Sequence, residues 1–290
     1  MKSSDYWAER CRQENHKLYD RTYADMIRQM RKAYKVTLNG IRHDLTALYQ
    51  TLIDEAEGGE IRPNDLYRFR RYYDMQHNTN RLLRELGSKE RSVMDRGLVR
   101  MYEFVCDTIS EHLPHALAVG YSKPSEAQIR AVCNAAWCTD GKNYSSRIWD
   151  DKTLLQKRLD KGLLNCVSRG LSKDEAVKDI MQHMGKQFYV ADNLVRTELA
   201  HVQTEATAER LTAAGVHRYK FLAEIDDRTS EICKKLNGQT FEMSERKVGV
   251  NCPPMHPGCR SDIVAVITSA DVQAQMQAKL DELRAEKSRR

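Results

Sequence analysis

Tyr19–Leu52, YDRTYADMIRQMRKAYKVTLNGIRHDLTALYQTL, is the stretch that sets the fold class. Its apolar side chains fall at Tyr19, Tyr23, Met26, Met30, Tyr34, Leu38, Ile41, Leu45, Leu48 and Leu52. The steps are all three or four, the spacing of a single helical face. A continuous helix over this span measures about 50 Å. Gly40 is its weak link, costing about 1 kcal/mol against Ala. A stripe so narrow on a helix so long needs a partner helix, and Glu57-Gly58-Gly59 is the expected end.

A second helical stretch follows Pro63, from about Leu66 to Leu86, with Gly87-Ser88 as its expected stop. Met94, Leu98, Met101, Val105 and Ile109 carry a third. These segments predict an antiparallel helical hairpin or bundle over residues 1–118, closed by a linker at His112–Ser125. Beyond it, Ser125-Glu-Ala-Gln128 and Ser172-Lys-Asp-Glu175 read as capping boxes. One helix should therefore end at Ser168–Gly170, and a longer one should run from about Phe188 to Ala214 with Gly215 as its cap.

The period then changes. Tyr219, Phe221, Ala223 and Ile225 alternate with Lys220, Leu222 and Glu224, which predicts a half-buried strand. Asn237-Gly238 predicts a hairpin turn leading into Gln239–Met243, and Ile263–Ile267 a third strand. The expected class is α+β and mostly α. A helical arm occupies 1–118, a second domain 119–270 with a β-containing knot at about 217–268, and a charged tail 271–290.

Composition narrows the function classes. The 290 residues leave room for two domains, with 30% charged and only 7% aromatic side chains, which suits helices with narrow apolar stripes. A net charge of +6 is too weak to name nucleic acid or an acidic protein as partner. Eight cysteines in a chain this long are too sparse for a disulfide scaffold, and MKSSDYWAER lacks the apolar core of a signal peptide. The expectation is a protein of a reducing cytoplasm, without a membrane span and with thiols free or metal-bound.

The chemistry-bearing segment is Asp226–Arg260, DDRTSEICKKLNGQTFEMSERKVGVNCPPMHPGCR. Cys233, Cys252, His256 and Cys259 are the candidate metal ligands, since zinc takes four tetrahedral donors from thiolate and imidazole. His256 and Cys259 form one good pair; Cys233 stands alone, with Ser230 where a C-x-x-C partner belongs. The alternative is a reduced Cys/His cluster filling a small core without metal. Asp226, Asp227, Arg228 and Thr229 read as turn chemistry and an ion pair rather than as general bases. A Cys/His/Asp knot also suggests a hydrolase or nuclease acting on nucleic acid, but the residues of an HNH nuclease are missing. Neither a phosphate-cradling glycine loop nor a G-x-S-x-G elbow is present. No catalytic residue or small-molecule substrate is assigned. Arg68, Arg70 and Arg71, interleaved with Tyr67, Tyr72 and Tyr73, are candidate nucleic-acid contacts or a solvated helix face.

Several blocks in order carry a resemblance. They are Tyr144-Ser-Ser-Arg147-Ile148-Trp149, Leu194-Val-Arg196-Thr197-Glu198, Asp226-Asp-Arg228-Thr229, Leu236-Asn237-Gly238 and Pro253-Pro254-Met255-His256-Pro257-Gly-Cys259-Arg260. The segment resembles the phage minor head (minor capsid) proteins, the Mu gpF and SPP1 head-morphogenesis family. Tyr6–Arg10, Asp65–Tyr73 and Leu86–Glu90 are similar to the N-terminal parts of minor head proteins. The resemblance implies structural work at the portal vertex or in the head interior of a virion, after assembly in the host cytoplasm. The implied partners are the portal protein, scaffold or major capsid protein, and DNA. It also implies that Arg196, Glu198, Asp226, Arg228, Thr229, Gly238, Pro254 and Arg260 form the structural motif. The resemblance implies a Cys, carried by many relatives, where Ser230 stands, and its loss weakens a tetrahedral metal site unless Cys252 replaces it.

Overall fold

The apolar stripe belongs to one helix, α1, running Ser4–Glu55 in a computed structural model that describes residues 4–55, 66, 70–113, 115–118 and 121–288. Met26, Met30, Tyr34, Ile41, Leu45, Leu48 and Leu52 are buried along it. The expected stop at Glu57-Gly58-Gly59 lies outside the described residues. Next come α2 (Arg70–His112), α3 (His115–Ala118), α4 (Glu126–Cys133), α5 (Tyr144–Ser168), α6 (Lys173–Gly185) and α7 (Gln187–Ala213). Strand β1 (Arg218–Leu222), helix α8 (Glu231–Leu236), strands β2 (Thr240–Glu242) and β3 (Asp262–Ala265), and helix α9 (Ser269–Ser288) complete the chain. The protein is mostly helical, with one small sheet near its C-terminus.

Two compact units arise from separated stretches of chain. Met1–Ala24, Asp95–Ala135 and Asn193–Arg290 form the first; Asp25–Met94 and Ala136–Asp192 form the second.

The second unit holds the antiparallel pairing of α1 with α2. Asn78 donates to Asp44, and a Cβ at Gly40 would stand 2.9 Å from Leu82 Cδ1. Gly87-Ser88 does not stop a helix here; α2 runs through it. The reason is packing: a Cβ on Gly87 would lie 2.8 Å from Trp149 Cζ3, so the glycine makes room for an indole instead of ending a turn. At the other end of this unit, the Ser172 hydroxyl and Glu175 close a capping box on α6. Gly170, at φ +65°, takes the left-handed turn between α5 and α6. Lys152, Glu90 and Tyr34 form a buried polar cluster, with Lys152 Nζ 2.7 Å from Glu90 and 2.8 Å from the Tyr34 hydroxyl.

In the first unit the sheet has the order β2-β1-β3, antiparallel throughout, with Tyr219 opposite Phe241 and Ala265, and Phe221 opposite Ile263. The strand expectation holds for Tyr219 and Phe221, both fully buried, but β1 ends at Leu222 and Ile225 is exposed. Asn237-Gly238 is not a two-residue hairpin turn, because α8 lies between β1 and β2. Asn237 instead caps that helix, and its side-chain oxygen accepts the Ala223 N–H at 3.0 Å. Gly238, at φ +80°, then donates its N–H to the Phe221 carbonyl at 2.8 Å. Ser125 and Gln128 close the other capping box, at the start of α4.

Candidate metal centre

Strand β1 is the floor of the site. Tyr219 and Phe221 point to the same face, about 7 Å apart along the strand. Phe221 packs with Ala223, Cys233 and Cys259, while Tyr219 packs with Ala208, Cys252 and Ile263. Cys233 comes from α8, whose N-cap is Ser230; the Ser230 hydroxyl accepts the Cys233 N–H. Cys259 and His256 come from the PPMHPGC loop. Pro253 and Pro254 are buried, and Gly258 turns at φ +70°. Helix α7 fixes that loop from outside: the Gly258 N–H donates to Thr197 Oγ1 at 3.1 Å.

Cys233, His256 and Cys259 converge so that their donor atoms all lie within 4.8 Å of one another. Cys233 Sγ is 3.8 Å from Cys259 Sγ and 3.5 Å from His256 Nε2. A tetrahedral ion with Zn–S about 2.3 Å and Zn–N about 2.05 Å demands edges of about 3.8 Å and about 3.6 Å. The residues present therefore fit zinc at those two edges. His256 Nδ1 lies 3.0 Å from the Pro257 carbonyl, which can only accept, so Nδ1 carries the proton. That leaves the Nε2 lone pair facing the thiols, the tautomer a metal-binding histidine uses. Burial raises the Cys259 pKa, so its thiolate would gain from a cation beside it.

Cys252 is not brought to this group. It lies in the neighbouring core cluster beside Tyr219, its Sγ 3.8 Å from Arg246 Nη1, and burial pushes its thiol up to about 12. The physical reason is the strand: Cys252 packs over Tyr219, two residues along β1 from the Phe221 position that the other two thiols share. All eight cysteines are free of disulfides.

Around the centre, Asp226 works as a turn hub. Its carboxylate accepts from Arg260 Nη2 at 2.6 Å and from the Arg228 N–H at 2.9 Å. The Arg260 hydrogen bond, first, holds that carboxyl well below the usual range. Arg228 pairs with the same carboxylate at 3.5 Å, and the Thr229 hydroxyl donates to the Glu224 carbonyl at 2.5 Å. The Arg196 guanidinium sits 4.1 Å over the Tyr23 ring and donates to that hydroxyl. Glu198 is buried in α7. Two connections were not legible from spacing. One is the Thr197 anchor. The other is the bidentate pair of Arg246 with Glu205, at 2.6 and 2.7 Å, which joins the loop before Cys252 to α7. Arg70 and Arg71 are exposed at the start of α2, and Arg68 lies outside the described residues.

Residues 157–264 match the family model described as Phage Mu protein F like protein. This segment is a Mu F-like domain. It runs from within α5 to β3 and contains all four thiol and imidazole candidates, the Thr197 anchor and the Asp226 hub. No curated protein matches the chain, and no solved structure does. No helix among the described residues is long and apolar enough to cross a membrane.

Proposed function

We propose that this chain is a minor head protein of a tailed phage, acting in head morphogenesis without catalytic turnover. The match of the Mu F-like domain carries the reading. Long amphipathic helices and the resemblance of the N-terminal blocks support it. The role comprises association with the portal protein at the head vertex, neighbouring scaffold or major capsid protein, and contact with packaged DNA through exposed basic residues such as Arg70 and Arg71. Its place is the head interior or portal vertex, reached from the host cytoplasm during assembly. The division into a 1–118 arm, a 119–270 head-morphogenesis domain and a 271–290 tail is the functional layout offered with it.

The Cys233–His256–Cys259 cluster, in this reading, holds one zinc ion as a staple. A bound ion would tie α8 to the PPMHPGC loop, adding a cross-link where the apolar core is only a few side chains deep. Elemental analysis of the purified chain should find one zinc per molecule.

Quantitative mass spectrometry of purified virions, scaled against the portal protein, tests the head role. A reproducible level at or below that of the portal is expected. Absence from virions while the chain is abundant in the infected cell would overturn it.

A further inference from the structure

The donor set of the cluster stops at three. Two thiolates and one neutral imidazole balance the charge of a divalent ion, but zinc takes four donors. Ser230 borders the missing corner: its Oγ is 3.0 Å from His256 Nε2 and 3.4 Å from the Cys233 backbone N–H that it caps. Because Nδ1 holds the ring proton, the Ser230 hydroxyl donates to Nε2 when no ion is there. An ion on Nε2 displaces that bond and frees the hydroxyl. A neutral serine hydroxyl that already accepts a backbone N–H is a poor zinc donor compared with thiolate, imidazole or carboxylate.

The corner is also open. A small cavity of about 20 Å³, lined by Ser230, Cys233 and His256 together with Arg228 and Arg260, adjoins the donors. That is room for about one water molecule. Arg228 and Arg260 on its rim are both paired with Asp226, and Glu224 lines it as well.

Resting on the metal reading above, we infer that the centre is a three-donor site whose fourth position is exchangeable. It takes water in the free protein and a small monodentate ligand in its place, with the Ser230 hydroxyl as hydrogen-bond partner to that external donor and not as a ligand. The centre thereby differs from a closed four-ligand structural site, which has nothing to exchange.

Cobalt(II) in place of zinc tests this on the full-length chain, with azide as the probe and the visible absorption bands as readout. Three proteins are compared: wild type, Ser230→Ala and Ser230→Cys. The expected result is one Co²⁺ per wild-type chain, with bands that shift on adding azide. Ser230→Ala should show the same azide-free spectrum as wild type. Ser230→Cys should gain thiolate-to-cobalt intensity and lose the azide response. Wild-type bands indifferent to azide would overturn the exchangeable position, and so would a changed azide-free spectrum in Ser230→Ala, which would make the serine oxygen a ligand. Failure of wild type to bind cobalt at all would remove the metal reading itself. Thermal melts of the three apo-proteins show whether the Ser230 variants retain the fold; if Ser230→Ala does not, the azide response of wild type against Ser230→Cys still decides.

Discussion

Thr197 Oγ1 accepts the Gly258 N–H at 3.1 Å while donating its own proton to the Asn193 carbonyl at 2.7 Å, so one hydroxyl on α7 pins the loop that presents His256 and Cys259. Thr197→Val keeps the branched shape and removes the acceptor. The Gly258 N–H, part-buried, would lose its partner at a cost of about 1–2 kcal/mol. Thr197→Ser should restore most of it. Denaturant unfolding of the three proteins measures the difference, and equal midpoints for wild type and Thr197→Val would refute the anchor.

Gly87 and Gly40 offer a controlled pair within α1 and α2. Each lies inside a helix, where replacing Gly with Ala ordinarily gains about 1 kcal/mol. At Gly87 the new methyl meets Trp149 ring atoms at 2.8 and 3.2 Å, and a rigid indole cannot swing aside. Overpacking of this kind costs about 1–3 kcal/mol. At Gly40 the close atom is Leu82 Cδ1, the far end of a flexible side chain. Gly40→Ala should therefore be more stable than Gly87→Ala by at least about 1 kcal/mol, read from thermal melts. The reverse order would mean that the Trp149 contact does not govern Gly87.

These two glycines mark where reading the sequence stops. Periodicity along Tyr19–Leu52 made α1 legible, and the Ser125–Gln128 and Ser172–Glu175 boxes made two helix starts legible, because caps and stripes are local. A glycine in a helical register is ambiguous by nature: it reads as a stop unless the opposing side chain is known, and Trp149 is 62 residues away from Gly87. Asn237-Gly238 failed in the same way. Its turn chemistry is genuine, but six helical residues precede it, so it caps α8 instead of joining two strands. At the centre, residue type alone named Cys233, His256 and Cys259. Excluding Cys252 required knowing which residue of β1 each thiol covers.

Cys252→Ala should leave metal stoichiometry unchanged while costing about 1–2 kcal/mol for a truncated buried side chain. Cys259→Ala should abolish binding. Metal analysis beside a chemical melt separates the two effects, and loss of metal in Cys252→Ala would return Cys252 to the ligand set.

Lys152 and Glu90 are both almost wholly buried and 2.7 Å apart. Burial raises the Glu90 pKa, and the Lys152 charge opposes that rise. Lys152→Met leaves a buried carboxylate without its counter-charge, at a cost of about 3–5 kcal/mol near neutral pH. Below the Glu90 pKa in the variant the deficit should shrink, since a protonated carboxyl needs no counter-charge. Adding Glu90→Gln to Lys152→Met should recover part of the loss, the remainder being the Asp151 contact at 2.9 Å that also disappears. A deficit independent of pH would show that the pair contributes packing alone.

His201 on α7 contributes to the pH dependence of the first unit. Burial, first, and the neighbouring Arg246 lower its pKa to about 4, against the opposing pull of Glu205. In the unfolded chain the imidazole titrates at about 6.5. Between those values the unfolded state binds a proton that the native state refuses, so acid favours unfolding. The contribution is complete above about pH 6.5 and falls as pH drops toward 4, by up to about 3 kcal/mol over the window. His201→Gln has no proton to bind in either state, so its stability should change less steeply over the same range. Unfolding free energies at pH 7, 6, 5 and 4 for both proteins make the comparison. Parallel curves would mean that His201 is as readily protonated in the folded protein as in the unfolded chain.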